Sequence, residues 1–190
     1  MIRITPLALL TLSTMSSLLF QPALSDAPYP GAEWTRTLFL EEFSGDGGSP
    51  PDGASWILDT GTSYPGGPAQ WGTGEDETYS ADPTFAHHTG DGHLAITPQL
   101  VNGQWTSARI ETQQMDFKAP KGGKMRVEAS IAAPSVSASN GLGYWPAFWL
   151  LGSGVRTGRR TWPAGGEFDI MEMVNGDSGN GHGMHCVSGS

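Results

Sequence analysis

Residues 166–173 read GEFDIMEM, with acids at Glu167, Asp169 and Glu172 set among Phe168, Ile170, Met171 and Met173. The apolar residues suit a strand, in which successive side chains point to opposite faces. A regular strand would put Glu167, Asp169 and Met171 on one face and Glu172 on the other. That arrangement buries an acid or leaves the apolar set in water, and both are costly. A β-bulge, one extra residue near Ile170–Met171, removes the conflict, because beyond it Glu172 takes the place residue 171 would have held. All three acids then share a face, and Phe168 with the following hydrophobic residues turns to the core. Bulges are frequent beside active sites, where they re-aim a side chain.

The rest of the chain agrees with a strand-built fold. Its 190 residues, 37% hydrophobic and 15% charged, suit one domain with a sizeable core. The 27 Gly and 14 Pro disfavour long helices and favour short strands joined by tight turns. Strands are expected within residues 37–43, 55–60, 93–99, 106–113 and 124–133. TSARIETQ and KMRVEAS alternate polar and apolar residues, as half-buried antiparallel strands do. Residues 61–78 form a long connection of the functional or mobile kind. The class is an antiparallel β-sandwich.

Formal net charge is −9, which argues against nucleic acid and anionic membranes, since both want a basic patch. A neutral substrate fits better. At the amino end, Arg3, the apolar run of residues 7–20 and the small residues of Ala23–Ser25 read as an export signal with cleavage after Ser25. The apolar run is too short and too broken by Ser and Thr for a membrane anchor. Residues 1–25 are therefore expected to stand outside the fold, and the protein to be secreted. Cys186 is the one cysteine of the chain. It is read either as a buried free thiol or as half of a disulfide whose partner lies beyond Ser190.

Three neighbouring carboxylates repel one another, so their protonation must be uneven. Glycoside hydrolysis needs that division, with an ionised nucleophile and a protonated acid on the leaving-group oxygen. A solvated acidic strand face is the plainer reading of the same spacing. Aromatic neighbours shift the balance. Trp145 and Trp149 lie just upstream, and Trp162 leads into the acids. Indoles stack on the C–H faces of sugar rings and keep an N–H for a hydroxyl. Tryptophan clusters also pack cores, and at least one of the three is expected to do so. His87, His88 and His93 lack metal-site spacing and are read as surface residues, Glu75–Glu77 as a solvated loop, and residues 175–181 as a turn.

GEFDIME resembles the ExDxxE strand of glycoside hydrolase family 16. TYSADPTF, GHLAIT, TSARIETQ, YWPAFWLLG and WPAGGEFDIMEMVNG follow in the order of its laminarinase-like members. The resemblance implies a β-jelly roll with a concave sugar-binding sheet, and hydrolysis that retains anomeric configuration through a covalent glycosyl-enzyme. It makes Glu167 the nucleophile, Asp169 its assisting acid, and Glu172 the general acid then base. It places Trp145, Trp149, Trp162 and Arg109 along the cleft and His185 on the strand after the acids. The bulged spacing goes with β-1,3-glucanases more than with lichenases and plant-type transglycosylases. Two departures stand out. Thr84 and Phe85 occupy the place of a frequent cleft Asn, and the family's domain continues for several strands past the position of Ser190. Residues 26–190 are thus expected to be the amino-terminal part of a catalytic domain, poorly soluble and inactive without the rest. A structural calcium, often held near the carboxyl end in the family, is not expected, nor is any other metal or cofactor.

The leading reading is a secreted, monomeric, endo-acting hydrolase of β-1,3 or mixed β-1,3/1,4 glucans. A transglycosylase on the same site, a sugar-binding jelly roll without catalysis, and an inactive truncated product are the alternatives.

Overall fold

The computed structural model describes residues 2–7, 34, 36–137 and 139–175, so His185 and Cys186 lie outside the described residues. The strands are β1 (Ile2–Leu7), β2 (Phe39–Glu41), β3 (Trp56–Leu58), β4 (Thr78–Tyr79), β5 (Ala86–His88), β6 (Leu94–Ile96), β7 (Gln99–Val101), β8 (Gln104–Ser107), β9 (Ile110–Thr112), β10 (Lys124–Ala129), β11 (Ala147–Leu151) and β12 (Glu167–Glu172). Among the described residues, helix is confined to single turns at Ala69–Gly72 and Ser153–Arg156. The ladders run β10-β1-β2, β11-β12, β3-β9, β4-β8-β7 and β5-β6. All pairs are antiparallel except β4 with β8.

Every stretch expected to be a strand contains one. Residues 93–99 hold β6 and the first residue of β7, with the break at Thr97–Pro98, where proline removes a ladder donor. The strands β4 and β5, two and three residues long, are too short to show a period.

The leader reading sets residues 1–25 apart from the fold, whereas the structure lays Ile2–Leu7 between β2 and β10. An extended backbone there meets the N–H and C=O groups of both neighbours. Pairing with β2 stops at Ile4, so Pro6, which has no N–H, is paired only with β10. Removal of the leader would leave β2 and β10 with open edges on this side. No helix among the described residues is long and apolar enough to cross a membrane.

The packed core gathers around Trp56, which is stacked on Phe43 at 5.9 Å and met edge-on by Phe39 at 5.5 Å. Its indole N–H donates to Glu41 Oε2 at 3.0 Å, so the buried ring carries no orphaned donor. Phe85 and Ala86 are buried beside Ala108, which makes Phe85 a core residue where the family often has a cleft Asn. His88 corrects the surface reading of the histidines. It is buried on the same face of β5 as Ala86, with Ser49 Oγ 3.1 Å from its Nδ1. Room for the ring exists because residue 45 is glycine; a Cβ there would come within 2.6 Å of the imidazole.

The sheets are not closed among the described residues. Phe168, expected in the core, is 49% exposed. It does point away from the acids, but its ring is left half open.

Candidate active site

Strands β11 and β12 pair in the register Ala147↔Glu172, Phe148↔Met171, Trp149↔Asp169, Leu150↔Phe168 and Leu151↔Glu167, with a shift between Phe148 and Trp149. Ile170 therefore has no partner and is the extra residue of a bulge. Cross-strand partners share a face, so Glu167, Asp169 and Glu172 line up over Leu151, Trp149 and Ala147. The expected bulge is present where the acid spacing required it.

Local sequence explains how the hairpin is held. Gly152 N–H donates to Gly166 C=O at 2.9 Å, closing the connection at its neck. A Cβ on Gly152 would lie 1.8 Å from Gly165 O, and one on Gly165 would lie 2.2 Å from Val155 Cγ2. Packing thus requires glycine at 152 and at 165, the first glycine of WPAGGE, while the second, Gly166, takes the left-handed φ of 83°. At the other end, Met173 N–H donates to Pro146 C=O at 3.1 Å and Asn175 N–H to Tyr144 C=O at 2.8 Å, extending the pairing beyond the bulge.

Two indoles address the outer acids. Trp162 Nε1–H donates to Glu167 Oε2 at 3.0 Å, and Trp145 Nε1–H donates to Glu172 Oε1 at 2.8 Å. Both rings are largely exposed, so their faces remain open to a ligand. Trp162 reaches its place through a cis peptide to Pro163. Trp149 is the packed member of the trio, with its ring 4.7 Å from the Arg109 guanidinium carbon.

Burial raises the pKa of Glu167 above the usual carboxylate value, and the charges of Asp169 and Glu172 add to it; the Trp162 hydrogen bond and Arg109 pull it back. Asp169 is also raised, by burial and then by Glu172. An ionised Glu167 is thus favoured by Trp162 and Arg109 against the rest of its surroundings. Trp162→Phe keeps the ring and removes the donor. It should move the titration of the Glu167 carboxyl, followed by carbon-13 NMR, to higher pH. An unmoved titration would mean that the hydrogen bond has no hold on this acid.

Arg109, expected along the cleft, is a mostly buried residue. Its guanidinium carbon lies 4.2 Å from the Trp71 ring, with Trp149 also in cation–π range. Asp59 Oδ2 is 3.2 Å from Arg109 Nε, an ion pair without hydrogen-bond alignment. Arg109 Nη2 donates to Tyr64 Oη at 3.2 Å, and the Tyr64 hydroxyl donates to Glu111 Oε1 at 2.5 Å. Glu111 Oε2 pairs with Arg156 Nη1 at 2.8 Å. Sequence reasoning missed Asp59, Tyr64, Glu111 and Arg156. The available signal was an acid in each of two short strand stretches, SWILDT and RIETQ, which reads equally well as a solvated face.

Residues 85–190 match the family model described as "XgeA-like, catalytic GH16 domain". The chain is 30% identical over 154 residues to glucan endo-1,3-beta-glucosidase A1 of Niallia circulans, covering 75% of this chain and 20% of that protein. It is 31% identical over 127 residues to a beta-glucanase of Rhodothermus marinus, covering 65% of this chain and 39% of the relative. The crystal structure of endo-1,3-beta-glucanase from Streptomyces sioyaensis superposes with a TM-score of 0.73 at 48% identity, covering 80% of this chain and 54% of the other. The chain thus spans about a fifth of the first relative and about half of the solved structure.

Proposed function

The chain belongs to glycoside hydrolase family 16, and on that premise we propose that it serves a secreted, endo-acting hydrolase of β-1,3 or mixed β-1,3/1,4 glucans that retains anomeric configuration. The observation that carries the reading is the bulged strand, with Glu167, Asp169 and Glu172 on one face and an indole N–H on each outer acid. A solvated acidic face would need neither the bulge nor the tryptophans. The relatives' names, endo-1,3-glucosidase and beta-glucanase, support the substrate class. The net charge of −9 suits a neutral polysaccharide.

The chemistry assigns one step to each outer acid. An Oε of Glu167 attacks the anomeric carbon while Glu172 gives its proton to the departing glycosidic oxygen, and a glycosyl ester forms on Glu167. Glu172, now ionised, takes a proton from water, whose oxygen displaces Glu167 and restores both carboxyls. Asp169, set between them, assists the nucleophile. Trp145 and Trp162 offer exposed ring faces for sugar stacking on either side.

The test follows laminarin digestion by proton NMR as the first reducing ends appear. The β-anomer should appear first and then mutarotate. The α-anomer appearing first would overturn retention, and intact laminarin and lichenan would overturn the substrate class.

A further inference from the structure

Arg109 occupies a built site on the acid-bearing side of the hairpin, over the Trp149 ring. Its side chain is 15% exposed, enclosed by its neighbours. Trp71 reaches its ring through two consecutive left-handed, non-glycine residues, Gln70 (φ 47) and Trp71 (φ 51). Such backbone persists only where the surroundings enforce it. The loop that carries it is closed at the neck by reciprocal hydrogen bonds of 2.9 Å between Gly61 and Tyr79. Arg156 sits in the turn that connects β11 to β12. It donates to Thr112 C=O at 2.6 Å and to Gln113 C=O at 3.2 Å as well as pairing with Glu111, so the hairpin bearing the acids is fastened to the end of β9. Trp149, opposite Asp169 in the register, is the contact through which Arg109 meets that hairpin.

We propose that Arg109 is a positioning residue for the double displacement, held by Asp59 and by the Tyr64–Glu111–Arg156 chain, which fixes the Trp149 indole beside Asp169 and keeps a positive charge directed at Glu167. The proposal rests on the function inferred above. Arg109 lowers the pKa of Glu167 from this place, against burial and the neighbouring acids. Burial and then the charge of Glu111 push Asp59 up to about 7, so Asp59 carries a proton over the acidic range. A protonated Asp59 leaves the guanidinium charge less cancelled.

The experiment compares the full chain with its Arg109→Met, Arg109→Lys and Tyr64→Phe variants. Kinetics on laminarin are read beside the carbon-13 titration of the Glu167 carboxyl, assigned from the Glu167→Gln spectrum. The titration needs no substrate and separates Glu167 from Asp59. For Arg109→Met, kcat should fall at least tenfold, KM should stay within about threefold, and the Glu167 titration should move to higher pH. Arg109→Lys should return most of the titration. Tyr64→Phe, which removes one hydroxyl and serves if the Met variant does not fold, should lower kcat about threefold at unchanged KM. A raised KM at unchanged kcat would make Arg109 a sugar-contacting residue and overturn the proposal. So would a lowered melting temperature with kcat, KM and titration unmoved, or an unaltered kcat in Tyr64→Phe. If the parent cleaves no β-glucan, the functional reading fails while the titration still decides whether Arg109 acts on Glu167.

Discussion

Replacing Glu167 with glutamine should lower β-glucan turnover by a factor on the order of 10⁴ or more while leaving glucan binding largely intact. The amide has nearly the shape of the carboxylate, and its oxygen can still accept the hydrogen bond from Trp162. What it lacks is the anionic lone pair that attacks the anomeric carbon, and no other step replaces the missing covalent bond. The exposed faces of Trp145 and Trp162 are untouched, so stacking on sugar rings persists. Turnover of laminarin and calorimetric binding of laminari-oligosaccharides check the two halves of the expectation. Activity within tenfold of the parent would remove Glu167 from the nucleophile's role. The same logic sets the acidic limb of the parent's pH profile. The raised pKa of Glu167 means that the ionised nucleophile is lost at a higher pH than an ordinary glutamate would lose it.

Glu172→Ala should divide substrates by their leaving groups. Glucan hydrolysis needs a proton on the departing sugar oxygen and should fall by about 10²–10⁴-fold. An aryl β-glucoside with an acidic phenol departs without that proton, so formation of the glycosyl-enzyme on Glu167 should be nearly preserved. Water then lacks a general base, and the intermediate accumulates. Azide needs no base and should restore the second step, yielding the β-glycosyl azide. Trp145, deprived of its acceptor, stays at the edge of the site as a stacking surface. Equal losses on both substrates with no response to azide would place the acid elsewhere.

The candidate site was legible because its chemistry sits in contiguous residues with conflicting polarity. GEFDIMEM cannot be a regular strand without misplacing Glu172, so the bulge at Ile170 follows from alternation alone. The indole partners were near enough in sequence to be noticed, and the structure supplied which nitrogen meets which acid. Phe168 and His88 were assigned to the wrong environments for a shared reason. Alternation reports which residues share a face, while burial depends on what other segments lay against that face. His88 is covered by the turn around Ser49 and Gly45, and Phe168 is half open.

By itself the sequence determined an all-β chain, a family 16 β-jelly roll, and the three acids on one face of one strand. The strands and the shared face follow from periodicity and turn composition, which act within a few residues, and the jelly roll is what the resemblance to the family implies. Only the tertiary structure decided that Trp149 stacks on Arg109 while Trp145 and Trp162 stay exposed, and that Asp59, Tyr64, Glu111 and Arg156 converge on that guanidinium. Charges 45 residues apart, such as Glu111 and Arg156, carry no local period that marks them as partners. Their pairing arises when strand register and loop closure bring them together, and burial then makes each depend on the other.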